Sequence, residues 1–267
     1  NKPGVFGLLG TNGAGKTTSI RMILGIIKKD SGEISFNGKS VTRKNVNFGY
    51  LPEERGLYPK SKIYDQLMYF ANLKGMSKVD GDKAIRYWLD KLKVSEYINY
   101  TAEKLSKGNQ QKIQFITAVL HNPDLIVLDE PFSGLDPVNT EILSNVMKEL
   151  ISEGKYIIMS SHQMNSVEEF CTDLIILNRG KTVLKGNLKD IKSSYNSSKV
   201  LVETDDNIDS IIKKLKLNIL SSNDGVYIIE NSNKDLLKEL CDNNINVSRY
   251  EIVKPSLHEI FIEKVGE

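Results

Sequence analysis

Continuous runs of aliphatic and aromatic residues recur through the first two-thirds of the chain, at residues 5–9, 46–50, 125–128, 156–160 and 174–177. Apart from Val46-Asn47-Phe48-Gly49-Tyr50, none alternates with polar residues, which is how a strand buried on both faces reads. Segments with apolar residues three and four apart separate most of these runs. The pattern predicts an α/β fold with a mainly parallel sheet and helices on both faces. Residues 31–38 read differently, as one strand held between turns. From Lys62 to Lys93 the period is helical, through Tyr64, Leu67, Met68, Phe70 and Ala71, then Ile85, Trp88, Leu89 and Leu92. This predicts a helical subdomain over about 61–102, inserted into the α/β domain of residues 1–192.

The pattern changes at 191–199, where Lys, Ser and Asn replace the apolar period and a linker is expected. Beyond it the order is strand (200–203), helix (208–217), strand (218–221), strand (226–230), helix (234–242), strand (246–252) and a last helix after Pro255. Asn223-Asp224-Gly225 suits a hairpin turn between the middle strands. A βαββαβ order over 199–267 predicts a small α+β, ferredoxin-like accessory domain.

Composition adds limits. The 267 residues, 40% of them apolar, can bury a full core. Thirty-six basic and 34 acidic residues leave a net charge of +2, so no dedicated nucleic-acid surface is expected. Cys171 and Cys241 lie far apart without metal-ligand spacing, which fits a reduced, cytosolic setting. No apolar run approaches the ~20 residues that span a bilayer, so any membrane role needs spanning helices from another chain. Asn1-Lys2-Pro3-Gly4 leads straight into the first strand without an initiator Met, and a segment upstream is expected.

The first apolar run ends in Gly10-Thr11-Asn12-Gly13-Ala14-Gly15-Lys16-Thr17-Thr18, followed by helical periodicity over 19–27. A strand, a glycine-rich loop, Lys-Thr and a helix start together hold a nucleotide triphosphate. Glycines let main-chain N–H groups turn toward phosphate oxygens, and the helix start adds its positive dipole. Lys16 would reach the β- and γ-phosphates, and Thr17 would ligate Mg²⁺. The plain alternative is a glycine-rich turn. The strand 125–128 ends in Asp129-Glu130-Pro131. A carboxylate at a strand's carboxyl end in such a sheet faces the ligand crevice, where Asp129 can serve Mg²⁺ and Glu130 can polarise water. Alone, those residues read equally as an exposed acidic turn. Leu105-Ser106-Lys107-Gly108-Asn109-Gln110-Gln111-Lys112 precedes another helical run, with Ser106 placed as an N-cap.

With these motifs in order, the chain resembles an ATP-binding cassette (ABC) ATPase subunit of a membrane transporter. The Walker A loop (Gly10 to Thr18), the signature (Leu105 to Asn109) and the Walker B strand ending at Asp129-Glu130 are followed by Ser133-Gly134-Leu135-Asp136 and by His162 after Ser160-Ser161. The resemblance implies the P-loop ABC fold, with ATP and Mg²⁺ as ligands. It implies phosphate binding by Gly10, Asn12, Gly13, Ala14, Gly15, Lys16, Thr17 and Thr18, and Mg²⁺ held by Thr17 and Asp129. Glu130 would be the base and His162 would contact the γ-phosphate. Ser106 and Gly108 would complete the site of a second ATP-binding subunit, and Asp136 would link the two sites. The implied partners are that second copy, a homodimer being expected, and a transmembrane permease, at the cytoplasmic face of the membrane.

The departures are local. Lys107-Gly108-Asn109 stands where the family usually has Gly-Gly-Gln. Glu53, in Leu51-Pro52-Glu53-Glu54-Arg55-Gly56-Leu57-Tyr58, stands where Gln is usual; it keeps an oxygen for Mg²⁺ and adds a charge. The adenine-stacking aromatic of the family would fall before Asn1. The wording around Glu53 and Ser106, with the extra C-terminal domain, resembles bacterial exporter ATPases of the sodium-extrusion (NatA-type) and drug-export kind. The alternatives are a soluble ABC ATPase acting on nucleic acid or ribosomes, and a regulatory cassette that does not hydrolyse ATP.

Overall fold

The computed structural model describes residues 3–41, 45–54, 56–195, 199–230 and 235–266. Two compact units are present, Asn1–Leu188 and Lys189–Glu267. In the first, the elements are β1 (Gly4–Gly10), α1 (Lys16–Ile23), β2 (Ser35–Phe36), β3 (Lys39–Ser40), β4 (Phe48–Leu51), α2 (Ile63–Leu73), α3 (Lys78–Lys91), α4 (Lys107–Val119), β5 (Leu125–Asp129), α5 (Pro137–Ser152), β6 (Tyr156–Ser161), α6 (Met164–Phe170), β7 (Cys171–Asn178) and β8 (Lys181–Asn187). The six-stranded sheet has the order β4-β5-β6-β1-β7-β8. Every pairing is parallel except that of β8, which runs back along β7.

Burial explains the continuous apolar runs: all five residues of β5 are buried, and β1 is buried from Gly7 onward. On the α1 side, Leu8, Ala14, Ile20, Leu24, Val46, Leu125, Val127 and Leu177 form one core cluster. On α4, Ala118 O would lie 1.7 Å from a Cβ added at Gly49, so helix and strand β4 touch where only glycine fits.

The helical insertion is two helices. Gly75, at φ 78°, ends α2, and the Ser77 hydroxyl caps α3 by accepting from Asp80 N. Its ends meet at a Lys62–Thr101 bridge, so the insertion leaves and rejoins the sheet domain at one place. Several boundaries differ from the pattern. Helix α1 starts at Lys16, not at residue 19, and ends at Ile23, because Gly25 turns the chain at φ 66° and leaves Ile26 and Ile27 exposed. Of residues 31–38, only Ser35–Phe36 pairs, in a hairpin whose turn, Asn37-Gly38, has positive φ at both positions. Strand β8 has no apolar run to announce it: Lys181, Thr182, Lys185 and Gly186 are exposed on the sheet's antiparallel edge.

Helix α7 (Leu188–Ser194) starts at the last residue of the first unit and runs on into the second. The linker expected at 191–199 therefore begins inside a helix, with Ile191 buried; residues 196–198 lie outside the described ones. Then come β9 (Lys199–Glu203), α8 (Asp209–Leu215), β10 (Asn218–Asn223), β11 (Val226–Glu230), α9 (Leu236–Asp242), β12 (Arg249–Val253) and α10 (Leu257–Gly266). Strand β12 starts three residues later than the pattern placed it, and Lys234, the expected start of α9, is outside the described residues. The order β10-β11-β9-β12, antiparallel throughout, is the split βαβ arrangement. Asp224 and Gly225, at φ 45° and 77°, make the two-residue turn joining β10 to β11. Among the described residues no helix is long and apolar enough to cross a membrane.

Candidate functional site

Strand β1 ends at Gly10 because nothing larger fits: an added Cβ would come within 2.6 Å of Leu177 O and 2.8 Å of Ala14 Cβ. The loop then turns through Gly13 and Gly15, at φ 77° and 101°, and Gly15 caps α1 with no side-chain partner. No acidic residue sits in the first turn of α1, so nothing within the helix itself opposes its positive end. Thr11, Asn12, Gly13 and Thr18 are exposed. Lys16 is buried, and its ammonium donates to Gly10 O at 2.9 Å and Thr11 O at 3.3 Å. The cation is thereby held across the mouth of its own loop. Ala14 O accepts from Gly180 N at 3.0 Å, so the β7–β8 turn supports the loop from behind.

Thr17 Oγ1 donates to Asp129 Oδ2 at 2.9 Å, joining residues 112 apart in the chain. Asp129 is fully buried, and its other oxygen accepts from Ser160 Oγ at 2.5 Å. The same hydroxyl accepts from Glu130 N at 3.1 Å. Glu130 has φ 53°, a conformation that non-glycine residues adopt at a cost and that recurs at functional sites. Its buried carboxylate lies 2.8 Å from His162 Nδ1 and also accepts from His162 N at 3.4 Å. The imidazole is 56% exposed, facing outward from an acid that is only 6% exposed. Tyr50, at the end of β4, sits close enough for Asp129 to act on it: burial first, and then that carboxylate, push its phenol upward.

Helix α4 carries the remaining motif. The Ser106 hydroxyl caps it by accepting from Asn109 N at 3.2 Å, with Ser106 and Lys107 exposed. Gly108 is buried, and a Cβ there would meet Asn139 Nδ2 at 3.2 Å and Leu135 Cδ2 at 3.5 Å. Asp136 caps α5 through Asn139 N at 2.9 Å, and that bond is the main reason its carboxyl is held below the usual range. Gly108 and Asp136 thus meet through Asn139, with Ser106 at the cap two residues before Gly108. Among the described residues, none of them hydrogen-bonds the Lys16–Thr17–Asp129–Glu130 group. Glu53 is exposed and makes no hydrogen bond or ion pair among the described residues; Arg55 lies outside them.

The donor set suits a triphosphate and a hard divalent cation. Open space surrounds Gly13, an ammonium is held at Gly10 O and Thr11 O of the same loop, and a hydroxyl touches a carboxylate. Mg²⁺ takes one or two carboxylates and completes its shell with phosphate oxygens and water. Accordingly, no three acidic, histidine or cysteine side chains among the described residues form an all-protein metal site. Three contributors escaped the sequence reading: Ser160 as the bridge between both acids, Gly180 as the support of the loop, and Gln111, whose buried amide donates to Pro131 O at 3.1 Å. Only Gly180 left a trace, in the Asn178-Arg179-Gly180 turn signal.

Comparison with known proteins gives a consistent picture. Residues 1–133 match the family model described as ABC transporter, and residues 186–265 match that of the ATP-binding protein DrrA1-3-like, C-terminal domain. The chain is 47% identical to the Bacillus subtilis ABC transporter ATP-binding protein YhaQ, over 98% of this chain and 89% of the relative. It is 44% identical to an ABC transporter ATP-binding protein of Alkalihalophilus pseudofirmus, over 97% of this chain and 98% of the relative. The linearmycin resistance ATP-binding protein LnrL of Bacillus subtilis is 28% identical over 98% of this chain and 89% of the relative. A solved ATP-binding subunit of an ABC transporter superposes with a TM-score of 0.66 at 31% identity, covering 73% of this chain and 82% of that one.

Proposed function

The chain belongs to the ABC transporter ATP-binding proteins, and from that premise we propose that it powers export by closing, with a second copy, around ATP and Mg²⁺. As a member of that family it is an ATP-binding subunit and an ATPase. Export is favoured by the relative named for linearmycin resistance. A permease in the membrane is the partner, reached from the cytoplasmic face.

Within one copy, the amides of Gly13 to Thr18 and the Lys16 ammonium bind the triphosphate, Lys16 giving up its contacts to Gly10 O and Thr11 O for phosphate oxygens. Thr17 and Asp129 would hold Mg²⁺, with Glu53 joining from its loop, and the ion would supply charge neutralisation at the transferring phosphoryl group. Glu130 accepts a proton from the attacking water, and its raised φ and its contact with His162 fix where the carboxylate points. Ser106 and Gly108, which no hydrogen bond among the described residues links to Lys16 or Asp129, act on the nucleotide of the second copy, and Asp136 reports between the two sites. The 2.9 Å Thr17–Asp129 contact carries this reading, because it closes loop and acid into one site across 112 residues.

Glu130→Gln tests it. Reconstituted with its permease, the variant should bind ATP normally, lose about 100-fold or more in turnover and accumulate closed dimers. Turnover near the wild-type rate would remove Glu130 from the role of base.

A further inference from the structure

We propose that Gln114 is a positioning residue that holds the Glu53 loop in register with helix α4. The consequence for Mg²⁺ rests on the reading of Glu53 given above. Gln114 is 2% exposed, yet its amide does not serve its own helix. Nε2 donates to Pro52 O at 3.3 Å and to Glu54 O at 2.9 Å, the carbonyls on either side of Glu53. Oε1 is buried and has no partner among the described residues. A buried acceptor left unpaired is costly, and an apolar side chain of equal size would avoid that cost. The residue type therefore answers to the loop rather than to packing.

The placement follows from helical geometry. Ala118 lies against Gly49 of β4, and Gln114 is one turn away on the same face. Another turn toward the N-terminus, Gln111 donates to Pro131 O, directly after Glu130. One face of α4 thus grips strand β4, both flanks of Glu53 and the turn beyond the catalytic acid, while its first residues carry Ser106 and Gly108. Glu53 has no anchor of its own among the described residues, so its position is inherited from the carbonyls that Gln114 holds.

Limited proteolysis of the full chain without nucleotide, by a glutamate-specific protease, tests the proposal directly. In Gln114→Met, cleavage after the exposed Glu53 and Glu54 should be about tenfold faster, with cleavage after the exposed Glu149 unchanged. Unaltered cleavage after Glu53 and Glu54 would overturn it. If the Met variant does not fold, Gln114→Glu serves instead: it keeps the shape but sets a carboxylate against two carbonyls, and the same loop-confined loss of protection is expected. In turnover assays, Gln114→Met should raise the half-saturating Mg²⁺ concentration about threefold, leave KM for ATP unchanged, and add nothing in a Glu53→Ala background. Additive effects of the two substitutions would mean that Gln114 does not act through this loop. If Glu53→Ala alone leaves the Mg²⁺ response at the wild-type value while Gln114→Met still loosens the chain at Glu53 and Glu54, the metal role of Glu53 fails and the holding role of Gln114 stands.

Discussion

Five strands of the first sheet run parallel, so their carboxyl ends open along one side; the four strands of the second alternate in direction. The polar side chains follow that difference. Among the described residues, every buried polar or charged side chain lies in the first unit except Thr204. Five of them gather at strand ends, Lys16 beyond β1, Asp129 and Glu130 at the end of β5, and Ser160 and Ser161 at the end of β6, while Gln66, Gln111, Lys112, Gln114 and Ser144 lie on helices. In the second unit, the pairs Lys214–Glu239, Lys199–Glu259 and Arg249–Glu251 form between surface neighbours. A parallel sheet gathers residues from distant segments around one crevice, and desolvation then makes their contacts strong. An antiparallel sheet of equal regularity leaves its charges in water, where pairing contributes little.

Substitutions can break this comparison. The largest effect is expected for Lys16→Ala, which should weaken ATP binding about 100-fold by calorimetry, since one charge-assisted contact in a sheltered loop is removed. Unchanged affinity would mean that the loop does not hold phosphate. His121 gives a smaller effect, on stability. Its Nε2 donates to Phe48 O at 3.0 Å, and burial first, then the nearby Lys74 ammonium, lower its pKa from 6.5 to about 4. The unfolded chain takes up a proton near pH 6.5 while the folded one resists it, so this contribution is complete above pH 6.5 and is lost as pH falls toward 4. Denaturation midpoints measured from pH 7.5 to 4.5 should fall less steeply in His121→Gln than in wild type; parallel curves would contradict the assignment. The smallest effect belongs to the second unit. Lys214→Ala removes a 2.7 Å pair whose lysine is 64% exposed, and the unfolding midpoint should not move.

Legibility in the sequence divided along another line, between local signals and contacts of distant residues. The fold class was readable because buried parallel strands are continuous apolar runs, as in residues 125–128, and because glycine spacing and Lys-Thr mark a loop by local geometry alone. Strand β8 was not readable: an edge strand with Lys181, Thr182 and Lys185 exposed carries no apolar signal. The early stop of α1 lay in one glycine, Gly25, within a helical period that continues through Ile26 and Ile27. Contacts joining distant residues left no local trace. Nothing near Ser160 announces that its hydroxyl bridges Asp129 and Glu130, and nothing near Gln114 announces carbonyls about 60 residues away. Those contacts exist only once β5 and β6 pair and α4 lies on β4.

The central claim is that loop and acid form one ATP·Mg²⁺ site across the first sheet, and a double-mutant cycle tests it most directly. ATP affinity at saturating Mg²⁺ would be measured calorimetrically for wild type, Thr17→Ala, Asp129→Asn and the double variant. Coupling of about 1–2 kcal/mol between the two positions is predicted. Strict additivity, with each substitution weakening binding independently, would contradict the account.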